Sequence, residues 1–334
     1  MAKRTMVWLL AAASLILVGG ILFAGVMMTL NWDFSELTTS EFVTNEYVID
    51  ESYTHVYIST DIADIKIKPA LDGITRVICY EQENQMHTVK EHLGDLYIQV
   101  NDERAWHEHI AINFKKPKIE LYIPQGEYGD LFIRSDTGDI KIHDVSTFER
   151  ISIEAMTGDV DLGVHAKDNI TATVRTGDVQ LRDVSANTLY ASTSTGDLVI
   201  SNAYYGATIQ AHCSTGKVKL QDITGGDKPV TIENQEYSFI QVAGSTGYTE
   251  LENVVVQGEI RVNAFTGSVM FKNCDAAAIS VEASTGHIKG NFLTPKVISA
   301  STNTGKVDVP ESTEGGPCDI KTTTGSIKIT FGEK

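Results

Sequence analysis

The chain has 334 residues, 42% of them hydrophobic, with 44 acidic against 27 basic side chains and a formal charge of −17. Such a length can bury a sizeable core. Such a charge repels polyphosphates and anionic surfaces, which excludes nucleic acid and discounts anionic lipid as partners.

Met6–Leu30 (MVWLLAAASLILVGGILFAGVMMTL) holds 25 uncharged residues, enough to cross a hydrocarbon core of about 30 Å as one helix. Lys3 and Arg4 precede it and Asp33 and Glu36 follow it. That asymmetry places residues 1–5 in the cytoplasm and everything after Asn31 outside the cell membrane. A cleaved signal peptide is the competing reading. The run is longer than a usual h-region and no clean small-x-small site follows, which favours a retained, single-pass anchor. Residues 31–52 read as a polar spacer.

Residues 53–130 alternate in runs such as ITRVICYE, GDLYIQV, HIAINF and KIELYIP. They predict an irregular β cap that closes the membrane-proximal end of the repeats beginning at Leu131. Val56, Ile58, Ile65 and Ile67 suggest a degenerate first coil, with Ala63 in the place that glycine takes later. Trp106-His107-Glu108-His109 opens a further strand in which His107 and His109 share one face. That is the spacing of a two-histidine metal site, with His87 or His92 as third ligand, although an ordinary exposed pair is the favoured reading.

From Leu131 to Lys334 a Thr-Gly pair returns ten times, from Thr137-Gly138 to Thr324-Gly325, at intervals of 19 or 20 residues except for one of 31 between Gly216 and Gly247. Seven residues before each Gly stands Leu131, Ile151, Ile170, Leu189, Ile209, Ile240, Ile260, Ile279, Ile298 or Cys318. The apolar positions are odd before the Gly (−7, −5, −3) and even after it (+2, +4). A strand that changes its inward parity needs a corner, and glycine supplies one. The period predicts an all-β fold, a single-stranded parallel β-solenoid of about ten 19–20-residue coils. A right-handed winding is expected, and an antiparallel sandwich is the weaker alternative. Thr at −1 shares the inward parity, so a ladder of hydroxyls is expected inside the corner. The long interval marks an inserted loop around Gly225–Pro229. The coil ending Ile327–Phe331 is expected at the open end, with Lys328 and Lys334 discouraging further stacking.

Cys213, Cys274 and Cys318 fall in apolar columns, too far apart along the stack to pair, and Cys79 falls in the cap. All four are expected as buried free thiols. Asp139, Asp159, Asp178 and Asp197 follow the corner glycines of four consecutive coils. Stacked carboxylates admit a calcium ladder, but Asp caps a turn by accepting a backbone N–H, which is the favoured reading. No nucleophile elbow, Walker loop or HExxH motif is present. No catalytic residue, cofactor or committed metal site is therefore assigned, and the chain is not expected to be an enzyme.

Anchor, spacer, cap and coils of the form STGDLVI, STGKVKL and TTGSIKI, with LYIPQGEYGDLFIRSDTGDI leading into the first full coil, resemble the bacterial "putative adhesin" family. This is a β-strand-repeat domain of unknown function, and the resemblance covers nearly all of residues 40–334. It implies an extracytoplasmic β-solenoid linked by name to adhesion and, in some relatives, by gene context to envelope stress. The expectation is a non-enzymatic, membrane-anchored rod that mediates adhesion or interaction at the cell envelope. Its partners would be a cell-wall polymer, an envelope protein or a second copy of the chain. A self-assembling or stress-associated structural protein is the alternative. A carbohydrate-active β-helix enzyme is the third, since such folds host paired carboxylates.

Overall fold

A computed structural model describes residues 2–32, 41–102, 115–227, 230–232 and 235–332. Helix α1 (Ala2–Thr29) contains the span Met6–Thr29, which is long and apolar enough to cross a membrane, a property that anchors and signal sequences share. From Phe42 onward the described chain is strand and turn. The N-terminal β region holds β1 (Phe42–Ile49), β2 (His55–Thr60), β3 (Asp64–Pro69), β4 (Thr75–Gln82), β5 (Gln85–His92), β6 (Asp95–Asp102) and β7 (Lys118–Ile123). Next come β8 (Glu127–Thr137) and β9 (Ile140–His143), which flank the first Thr-Gly pair.

The main sheet is mixed. β4 runs antiparallel to β1 and β7, and β5 runs antiparallel to β6. The β2–β6, β2–β8, β3–β7 and β3–β9 ladders are parallel. Beyond β8 every described ladder in this sheet is parallel, joining equivalent positions of successive repeats: Leu131↔Ile151↔Ile170↔Leu189↔Ile209↔Ile240↔Ile260↔Ile279. The fold is thus all-β and solenoid-like. A short antiparallel hairpin, Val230–Ile232 with Gln235–Tyr237, occupies the long interval and forms a separate sheet. The inward columns make one continuous core, from Val56 and Ile58 to Ile327 and Ile329. All four cysteines are free and buried in it.

The corner glycines have φ between 133° and 155°, where a side chain is strained. Space forbids one too: a Cβ on any of them would come within 2.2 Å of a backbone oxygen in the adjoining turn. The threonine ladder expected inside the corner is not there, because Thr137, Thr157, Thr176, Thr195 and Thr215 are exposed. Parity fails because −2 and −1 both face out at the bend. The residue at −3 carries the expected bond instead: Thr193 Oγ1 donates to Gly177 O (2.9 Å) and Thr302 Oγ1 to Gly325 O (2.9 Å).

Stacking order departs from chain order at the far end. Ile279 pairs with Cys318, and Cys318 with Ile298; Ile288 pairs with Ile327, and Ile327 with Val307. The coil expected at the open end, with Ile327–Phe331, therefore lies one layer inside, and Val297–Thr304 with Val307–Asp308 form the outermost layer. Burial explains the inversion. Cys318, Ile320, Ile327 and Ile329 are at most 2% exposed in the inner layer, whereas Val297 and Val307 remain 45% and 38% exposed in the outer one. Residues 309–316 reach about 26 Å when extended, ample to step back across a spacing of about 4.8 Å.

Candidate functional site

What the coils build is a set of columns running the length of the stack. Immediately after each corner the side chain accepts the N–H of the equivalent residue one layer on: Asp64 Oδ1 from Asp139 (3.0 Å), Asp139 from Asp159 (3.0 Å), Asp159 from Asp178 (2.8 Å), Asp178 from Asp197 (2.7 Å) and Asp197 from Lys217 (2.8 Å). The four candidate calcium ligands Asp139, Asp159, Asp178 and Asp197 thus each tie a neighbouring coil rather than their own turn. Ser268 and His287 continue the pattern farther along. A second column sits six residues past the glycine, where Asp144, Asp183, Asn202, Asp222, Asn253 and Asn273 adopt φ of 52–56°. This is the left-handed corner that short amide and carboxyl side chains tolerate. Asn202 donates to Asp183 (2.8 Å), Asn253 to Asp222 (2.7 Å) and Asn273 to Asn253 (3.2 Å).

Two longitudinal grooves lie beside these columns. One, about 660 Å³, is lined by positions −4 to −2 of successive coils, including His212, Asn263, Phe265, Glu282, Asn303 and Lys321; Phe265 is 67% exposed. The other, about 990 Å³, follows the left-handed corner and gathers His143, Asp144, His165, Asp183, Tyr204 and Asp222. Each spans several coils and offers mostly polar side chains beside one phenyl or phenol ring, Phe265 in the first and Tyr204 in the second. That surface suits an extended ligand more than a compact one, since small-molecule sites are mostly apolar and enclosed.

The cap holds polar groups in its interior. Cys79 and Glu81, two residues apart on β4, point to one side of it, and His87 reaches them from β5. His87 N–H donates to Glu81 Oε2 (2.6 Å), His87 Nδ1 lies 2.7 Å from the same oxygen, and Asn45 Nδ2 donates to Oε1 (2.7 Å). His87 Nε2 meets Thr60 Oγ1 at 2.9 Å. Burial alone raises the Glu81 carboxyl, but the hydrogen bonds from His87 and Asn45 outweigh it and hold the group below the ordinary carboxylate range. Burial, with the Glu81 charge, pushes the Cys79 thiol up to about 12. Threonine, histidine and glutamate lie in the order of a nucleophilic triad. Thr60, His87 and Glu81 are all closed to solvent, however, so no substrate reaches them. Among the described residues, Cys79, Glu81 and His87 are the one set of three ligand-type side chains close enough to share an ion. His107 and His109 lie outside the described residues. Sequence reasoning named His87 only as a partner for that pair. Its true neighbours were signalled by the shared parity of Cys79 and Glu81 and by the two-residue turn, Glu83-Asn84, that folds β5 back.

Membrane-sized helix, β cap and glycine-cornered coils define an all-β, solenoid-like protein. The model of the family described as Toastrack DUF4097 matches residues 53–236, more than half of the chain, and the chain belongs to that family. Similar solved structures include a "putative adhesin" from Bacteroides fragilis NCTC 9343 (15% identity, 88% of this chain and 99% of that one, TM-score 0.45). Others are a "putative adhesin" (10% identity, 88% and 98%, TM-score 0.40) and a "putative lipid binding protein" (13% identity, 88% and 98%, TM-score 0.36), both from Parabacteroides distasonis ATCC 8503. No curated protein matches the sequence.

Proposed function

We propose that the chain is a non-enzymatic, membrane-anchored protein whose extracytoplasmic part is one continuous parallel solenoid of about ten coils, mediating adhesion or interaction at the cell envelope. The observation that carries the reading is the pair of grooves that cross several coils and present equivalent, mostly polar positions of successive layers side by side. Repetition of this kind suits a polymer or an extended chain, which gains many weak contacts along a preformed surface at little ordering cost. The Toastrack DUF4097 membership and the apolar span Met6–Thr29 support an anchored surface module. The test is binding of the full chain in detergent micelles to purified cell-wall polymer. Saturable binding that weakens when Phe265→Ser and Tyr204→Ser are combined supports the reading. Equal capture of wild type and variant, or none, would refute it.

Self-association is the second reading, favoured by the outermost strand Val297–Thr304. It carries no charged residue and, among the described residues, has a ladder partner on one side only, and such an edge is open to pairing. A mass that does not change with concentration in light scattering removes this alternative.

A further inference from the structure

The core of the repeats is mostly apolar, yet the cap buries a thiol, a carboxylate and an imidazole against one another. We propose that Cys79, Glu81 and His87 form a zinc site that fastens the β4–β5 hairpin of the cap.

The donor atoms of the three side chains all lie within 4.8 Å of one another. Zinc needs ligands roughly 3.3–3.7 Å apart on a tetrahedron with bonds of about 2.0–2.3 Å, so sub-ångström movements suffice. Thiolate, carboxylate and imidazole are the donor types that this borderline-soft cation takes, and they rule against calcium or magnesium, which want oxygen alone. Charge gives the second argument. Glu81 is completely buried, and its ion-pair partner His87 (2.7 Å) carries a charge only when protonated; beside a neutral ring the carboxylate has no counter-charge, which is costly there. With Zn²⁺ the balance closes, because two positive charges meet one thiolate, one carboxylate and a neutral ring. Binding forms the Zn–S bond as the Sγ–H bond breaks, and the proton leaves to solvent.

The groups behind the ligands are placed to orient them. Before metal binds, His87 Nδ1–H donates to Glu81 Oε2; with the ring proton on Nε2 instead, donated to Thr60 Oγ1, the Nδ1 lone pair would be free to bind the ion. Asn45 donates to Glu81 Oε1, while Oε2 accepts the His87 backbone N–H (2.6 Å) and faces the ring with its remaining lone pair. Outer partners of this kind fix ligand orientation in metal sites. Three protein donors leave one tetrahedral position, which a water would fill.

The experiment titrates Co²⁺, then Zn²⁺, into the metal-stripped full chain in detergent. Expected are one equivalent of tightly held metal by native mass spectrometry, a thiolate-to-Co²⁺ charge-transfer band, its loss on adding Zn²⁺, and a melting temperature that falls on chelation. Cys79→Ser should abolish the band, and His87→Gln should lower affinity by 10-fold or more. Cys213→Ser and the His107→Ala/His109→Ala double variant should bind as wild type does. A wild-type chain with neither band nor bound zinc overturns the proposal even where a variant fails to fold. So does a band that survives Cys79→Ser, or one that disappears with His107 and His109.

Discussion

Replacing Gly196 by Ala adds one methyl group at the most constrained kind of position in the stack. The backbone there has φ +140°, a strain of about 1–3 kcal/mol for a residue with a side chain. The new Cβ would lie 2.1 Å from Gly177 O and 2.5 Å from Gly177 C. Relief to ordinary contact needs about 1 Å of separation between layers normally about 4.8 Å apart. That movement stretches the Gly177 N–H bond to Thr195 O (2.8 Å) and the Asp197 N–H bond to Asp178 Oδ1 (2.7 Å). Each contributes about 1 kcal/mol net, more where the acceptor is charged. The sum is about 3–5 kcal/mol, concentrated at one interface. Gly73→Ala is the control: its φ is +76°, but nothing lies within 4 Å of the added carbon, so only the strain applies. Urea unfolding followed by circular dichroism gives the energies, and amide exchange locates the loss to coils flanking Gly196. Equal effects for the two substitutions, or an unchanged unfolding curve for Gly196→Ala, would show that close stacking at the corner does not hold the coils.

Stacking order can be read by cross-linking. Glu282→Cys with Lys321→Cys should form a disulfide, since these residues pair directly, whereas Glu282→Cys with Ser301→Cys spans two layers and should not; the reverse pattern restores chain order. The Glu81 carboxyl titrates below its unfolded value, so its stabilisation is complete above about pH 4.3 and is lost as pH falls through the lower folded value. Glu81→Gln should therefore flatten the melting temperature against pH in that acid range, and a slope matching wild type refutes the assignment. Lys296 is 4% exposed, with Nζ 2.6 Å from Asp275 and donating to Ala276 O at 2.8 Å. Lys296→Ala should cost about 2 kcal/mol, between the values for exposed and buried pairs, and a loss below about 0.5 kcal/mol in urea melts would mean that the pair is solvated.

The register of the coils was legible because periodicity and parity are local: Ile151 announces its partners Leu131 and Ile170 by spacing alone. Stacking order was not legible, because the coil of Ile298 and the coil of Cys318 carry the same register and differ only in how much apolar surface they can hide. The threonine ladder was misplaced for a similar reason. Alternation assumes a strand that keeps its direction, and the bend turns positions −2 and −1 both outward. The cap cluster needed Thr60, Asn45, Glu81 and His87 brought together from four strands, which no single alternating run reveals. The grooves were not read from the sequence, because their depth depends on how the corners fold.

The inverted far end also bears on how the rod carries load. Pull on an ordinary terminal coil peels it from a single neighbour, and each release yields roughly 65 Å of slack from about twenty residues. Here the segment from Pro317 to Phe331 is clamped on both sides, by the layer of Ile279 and Ile288 and by the layer of Ile298 and Val307. Tension applied beyond it must break two ladders at once before any slack appears. A filament tethered at its other end would hold through small tugs and yield only past a threshold set by that clamp.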